Sequence, residues 1–169
     1  MKKFICTIML LTIAAIIFDS CKKKKDDEPV LSADEELFNE STASGYTYLY
    51  GNSAIIAGLG GSPHGFEKIK FNATAQTALD GSGKLPVGSS FPTGSIIVKE
   101  VFTSASGTLK EYAVMKKDAA NVNAASGWVW AEYNTDGSVK TSVADKGSQC
   151  VSCHSQTNNR DLTLAFDLH

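Results

Sequence analysis

No single sign of charge dominates this 169-residue chain: 16 Lys and Arg stand against 18 Asp and Glu, a formal net charge of −2. A protein that grips a polyphosphate backbone needs a basic excess, so nucleic acid is excluded as a partner. No apolar run reaches the ~18–20 residues of a membrane span. The stretch Phe4–Phe18 is shorter and carries two threonines. There is no internal repeat. Beyond residue 20 the only methionine is Met115, and the whole chain has three histidines, His64, His154 and His169. Cysteine is scarce too, with four residues. An even count in an exported chain suggests two disulfides. The length, however, allows a core that needs no covalent staples, and 43% hydrophobic residues exclude general disorder.

Lys2 and Lys3 followed by Phe4–Phe18 read as a secretory signal. The segment ends Phe18-Asp19-Ser20-Cys21, which resembles a bacterial lipoprotein signal, a small residue preceding the cysteine that takes the lipid. Asp19 and Phe18 depart from that pattern, and ordinary cleavage or an uncleaved anchor are the alternatives. Residues 1–20 are therefore expected to be the signal, Cys21 the lipidation site and residues 21–31 a charged tether. The charge bias of Lys22–Lys25 alone would keep this segment cytoplasmic. A motif near the C-terminus requires export and decides the conflict. The expected location is the periplasm or cell envelope, with a lipid anchor in the membrane.

Residues 32–169 read as one α+β domain, a mostly antiparallel β-sheet with a few short helices. Ser32-Ala33-Asp34-Glu35 is a capping box that opens a helix over Ala33–Thr42. Gly45–Gly61 reads as irregular. Phe66–Phe71 is a short strand with Ile69 and Phe71 on one face and Lys68 and Lys70 on the other. Asn72 caps a short helix through Leu79. Gly94–Phe102 is the clearest strand, and Glu111–Lys116 and Trp128–Tyr133 are two more. Asp136-Gly137 turns the chain into Ser138–Val143. In the strongest strand, Ile97, Lys99 and Val101 share a face, and Ile96, Val98, Glu100 and Phe102 share the other. An unpaired buried ammonium is costly, so Lys99 is expected to be paired, at a rim or chemically modified. An edge-strand lysine reaching water is the plainer alternative.

Cys150-Val151-Ser152-Cys153-His154 is a C-x-x-C-H motif, the attachment signature of haem c. Two thiols three positions apart reach the two vinyl groups of one porphyrin edge, and the adjacent imidazole binds iron. The alternatives are a disulfide, a zinc half-site or a thiol redox pair. Zinc would need a second pair of thiols, and a redox pair a βαβ unit. One covalent haem is the expectation, with Cys150 and Cys153 in the thioethers and His154 on the iron. No sixth ligand stands out. Met115 reads as a strand core residue, His64 as a turn residue and His169 as a terminal one. An iron without a sixth ligand binds small molecules, whereas Met115 as ligand would make a six-coordinate electron-transfer cytochrome.

The series Pro63-His64-Gly65, Gly94–Glu100, Tyr112–Asp118, Trp128–Tyr133 and Cys150–His154 resembles the cytochrome P-460 family and the related cytochromes c′-β, over about residues 45–169. The resemblance implies a β-rich haem domain, a homodimer and a five-coordinate iron. It implies hydroxylamine oxidation with an external electron acceptor, or nitric oxide binding without catalysis. Lys99 matches the lysine that joins the porphyrin. Phe66 and Phe91 match two phenylalanines that cap the distal face, though either reads equally as a core aromatic. The catalytic glutamate of the family aligns with Ala113, and Glu111, two residues earlier on the same face, is the candidate substitute. Lys70 stands where the family tends to have an arginine, as a candidate partner for a haem propionate.

Overall fold

Helix α1 spans Ala33–Thr42, and both halves of its capping box form: the Glu35 N–H donates to Ser32 Oγ (3.2 Å) and the Ser32 N–H to Glu35 Oε2 (2.8 Å). The computed structural model describes residues 30–58, 62–155 and 160–168. The expected signal, Cys21 and the tether up to residue 29 lie outside the described residues, as does His169.

The short strands β1 (Thr47–Tyr48) and β2 (Ile56–Ala57) lie within the stretch expected to be irregular. Both pair antiparallel with β3 (Phe66–Phe71), one at each end of the same edge. A three-residue 3-10 turn at Leu49–Gly51 separates them. After β3, Asn72 Oδ1 accepts the Ala75 N–H (2.9 Å) and starts α2, which ends at Gln76, short of the expected Leu79. Strands β4 (Ile96–Phe102), β5 (Leu109–Lys117), β6 (Trp128–Asn134) and β7 (Val139–Thr141) complete an antiparallel sheet in the order β1-β3-β4-β5-β6-β7. Strand β7 is shorter than expected, because Ser142 caps a 3-10 turn over Val143–Asp145. Two four-residue helices follow, α3 (Val151–His154) and α4 (Ala165–Leu168).

The sheet divides its side chains between two layers. On one face, Ile96, Val98, Val114, Val129, Ala131 and Tyr133 pack with Leu37 of α1. Tyr133 donates its hydroxyl to the Asp34 carbonyl (3.0 Å), and Phe38 meets the Tyr112 and Tyr133 rings edge-on. On the other face, Ile69, Phe71, Ile97, Met115, Trp128 and Trp130 form a core with Phe91, Ala165 and Phe166. Strand β4 lies between β3 and β5. Lys99 is therefore on a central strand, and the edge-strand alternative fails.

Leu37 is 3% exposed and fastens α1 to the sheet face away from the second core. Leu37→Ala is expected to cost about 2–5 kcal/mol, as buried leucine truncations do. Urea unfolding checks this as a lower midpoint with an unchanged slope.

Candidate functional site

The cross-strand register assembles three rows on the second face. Phe71, Ile97, Met115 and Trp130 form an apolar row. Ile69, Lys99, Ala113, Glu132 and Thr141 form the next. Glu67, Val101 and Glu111 form a third, acidic row. A cavity of about 470 Å³ opens over these rows. Its wall includes Lys99, Glu67, Glu111, Glu132, Lys140 and His64 together with Cys150, Cys153 and His154.

The cysteine motif is held over the apolar row. Gly147 has φ +61°, and a Cβ there would overlap the Trp130 indole, so glycine lets the chain cross this ring closely. The Cys150 and Val151 N–H groups then donate to the Gly147 carbonyl (2.9 and 3.0 Å), and α3 carries His154 onto Trp130 with ring centroids 4.9 Å apart. His154 Nδ1 lies 2.7 Å from the Leu162 carbonyl oxygen. A carbonyl only accepts, so Nδ1 carries the proton and Nε2 keeps its lone pair. Burial outweighs that hydrogen bond and, with Lys99 and His64 nearby, lowers the His154 pKa to about 4, so the ring is neutral near pH 7.

Asp161 fixes the loop that supplies this carbonyl. Its Oδ2 accepts the Phe91 N–H (2.8 Å) and its Oδ1 pairs with Lys117 (2.6 Å). Asp161 and Leu162 both adopt positive φ, +49° and +65°, which turns the chain back toward His154. Phe91 thus belongs to the support of the site rather than to its wall. Its ring stacks with Phe71 and Phe166 and meets Trp128 edge-on.

Two further expectations are corrected by strand alternation. Lys70 projects to the α1 face, where it pairs with Glu100 at 2.7 Å and lies over the Tyr46 and Tyr112 rings. Phe66 shares that orientation, two positions from Lys68, and is not on the cavity wall. Lys99 does reach the cavity and pairs with Glu67 Oε2 at 3.0 Å, while the Glu67 side chain is wholly buried. The expected pairing of this lysine is therefore met within the cavity itself.

Glu111 also lines the cavity, as expected, but its carboxylate is engaged by Lys140 (2.7 Å) and Lys110 (3.5 Å). Burial pushes its pKa up, and the Lys140 hydrogen bond and charge, with Lys110, outweigh this and hold it below the usual 4.5. Glu132 went unnoticed in the sequence. It is the cross-strand partner of Ala113 and accepts the Thr141 hydroxyl (3.1 Å). Alternation along β6 places it with Trp128 and Trp130, which is a signal the sequence held. Glu67 carried the same signal beside Ile69 and Phe71. His64 had no periodic signal, because a turn residue has no period, and stood out only in the Pro63-His64-Gly65 motif.

The donor set fits a covalently held haem. The volume falls in the range of cofactor sites, roughly 300–1,000 Å³. Cys150 and Cys153 are both free thiols. Burial, with Glu132 and Cys153 nearby, pushes the Cys150 pKa up to about 11, which disfavours the thiolate that zinc or thiol exchange would use. Among the described residues no three His, Cys, Asp or Glu side chains are arranged to hold a metal ion.

Lys140→Met is expected to destabilise the protein at pH 7, because Glu111 is 3% exposed and would keep only the longer Lys110 contact. The folded-state pKa of Glu111 lies below its unfolded value, so its pairing stabilises above pH 4.5 and is lost as pH falls through the folded value. The difference between wild type and variant should therefore narrow below pH 4.5. Urea titrations at pH 7 and pH 3.5 measure this.

A family model described as Cytochrome P460 matches residues 51–165, about two thirds of the chain. No curated protein matches it. The match spans β2 through α3, and with them every strand of the cavity floor and the cysteine motif. The chain belongs to the cytochrome P-460 family and is a haem-binding cytochrome of that kind, for which the family implies haem c.

Proposed function

We propose that this protein is an exported, lipid-anchored cytochrome with one covalent haem c that oxidises hydroxylamine and passes the electrons to an external acceptor. The observation that carries the reading is the composition of one cavity wall. The haem attachment residues share it with Lys99 and the carboxylates of Glu67, Glu111 and Glu132.

Cys150 and Cys153 would form the thioethers, and His154 Nε2 would bind the iron while its Nδ1–H stays on the Leu162 carbonyl. The bound haem supplies the one-electron chemistry. Oxidising hydroxylamine releases protons with the electrons, and a carboxylate near the reacting nitrogen takes them up. Glu132 Oε2 accepts a neutral hydroxyl, that of Thr141, at hydrogen-bond distance, with Lys140 at 3.6 Å. The Glu111 carboxylate is bound more closely by Lys140, which weakens it as a base. Glu132 is therefore the better acceptor of the two. Lys99 is the candidate for the porphyrin bond, with Glu67 as its proton partner. Forming that bond replaces a meso C–H and an amine N–H with C–N and takes a two-electron oxidant such as a peroxide.

The nitric oxide-binding alternative gains nothing from an aromatic lid, since Phe66 and Phe91 are both off the cavity wall. The electron-carrier alternative would need Met115 as a second iron ligand, apart from His154. Met115 instead lies in the Trp130 row, on the side where His154 rests.

The full chain expressed with export should carry haem that survives denaturing extraction, with a Soret band well to the red of ordinary cytochromes c. Hydroxylamine should reduce it. Lys99→Ala should keep the thioether haem and return the band to an ordinary position, and Cys153→Ser should lower covalent haem content. A red-shifted protein that hydroxylamine does not reduce would defeat the enzymatic reading.

A further inference from the structure

The acidic end of the cavity holds an imidazole without an assigned task. His64 sits in the turn before β3, with its backbone N–H on Ser62 Oγ (3.2 Å) and Gly65 following at φ +59°. Its ring lines the cavity, while its Nδ1 is closed off from solvent and has no hydrogen-bond partner among the described residues. A neutral imidazole carries one proton. Nδ1 is unpaired in either tautomer, as a donor or as an acceptor, so the ring can make its hydrogen bond only through Nε2. A ligand atom that accepts a hydrogen bond would select the tautomer with the proton on Nε2.

Position adds a second argument. His154 rests on Trp130, in the apolar row. His64 enters three residues before Glu67, beyond the acidic row. The two imidazoles thus enter one cavity from separate elements, His154 from α3 and His64 from the turn before β3.

We propose that His64 Nε2–H is the hydrogen-bond donor to the outer atom of a small ligand bound at the iron, on the side away from His154. The proposal rests on the haem reading of this cavity and goes beyond it by assigning the polarity of the ligand pocket. The ligands it favours carry a lone pair on that outer atom, as hydroxylamine and the diatomic gases do. His64 would act as a positioning and polarising group, distinct from the carboxylates that accept protons.

The probe is carbon monoxide on the reduced, full-chain holoprotein, read by infrared or resonance Raman spectroscopy. A donor at the outer oxygen strengthens back-donation, so the C–O stretch should lie lower in wild type than in His64→Leu, with His64→Gln intermediate. Carbon monoxide should leave His64→Leu on the order of tenfold faster, the scale of one lost hydrogen bond. Covalent haem content in each variant controls for folding. In wild type, and not in His64→Leu, the ligand vibrations should shift in D2O, because the donor proton exchanges. Identical stretches in wild type and His64→Leu, with no shift in D2O, would overturn the proposal. So would a six-coordinate low-spin iron that turns high-spin in His64→Leu, since His64 would then be the ligand. A wild-type preparation without covalent haem would overturn the underlying haem reading as well, and haem content tells that failure apart.

Discussion

Strand β4 is buried on both faces, and each face holds one charge. Such a strand is stable only if both charges find partners, because neither can reach bulk water cheaply. The antiparallel neighbour supplies both. Glu67 of β3 meets Lys99 on the cavity side, and Lys70 of β3 meets Glu100 on the α1 side. A slip of one residue would send Lys99 into the layer under α1 and Glu67 away from it. The two crossed pairs therefore lock register where apolar packing alone would leave it loose. The alignment of β4 with β5 and β6 builds on that register, and with it the rows that make up the cavity floor.

The floor is graded from apolar to acidic, and the grading separates tasks. The Trp130 end is apolar and aromatic, suited to holding a neutral imidazole in one orientation. Asp161 ties this end to the core by binding Phe91 and Lys117 at once, so that the Leu162 carbonyl is fixed by the same residues that fix the sheet. The Glu67 and Glu111 end is polar, and its carboxylates are paired with lysines. A redox group between these ends would have a fixed ligand on one side and proton-handling groups on the other. That is the arrangement an oxidation coupled to proton release needs.

Much of the fold was legible because it rests on short-range rules. The capping box at Ser32, the alternation in Phe66–Phe71 and the strand Ile96–Phe102 all appear where expected. The two-residue strands β1 and β2 were not legible, since such strands have no period and exist only because β3 offers an open edge. At the site, Lys99 was legible as an anomaly, a charge on an apolar face. Lys70 and Phe66 were placed at the haem by the family resemblance, although alternation already set Lys70 opposite Ile69. Phe91 came out near the site but in its foundation, because packing among four aromatic rings outweighs exposure to the cavity.

The sequence alone determined the candidate attachment motif, because two thiols and an imidazole that are to grip one porphyrin edge and bind its iron must be local, as Cys150, Cys153 and His154 are. It also determined which residues share a face within each strand, because side-chain alternation is local. Only the tertiary structure decided which strands are neighbours and in what register, since pairing is set by contacts far apart in the chain. That decision put Glu132 across from Ala113, gave Lys99 its partner in Glu67 and brought the turn residue His64 to the cavity that holds His154.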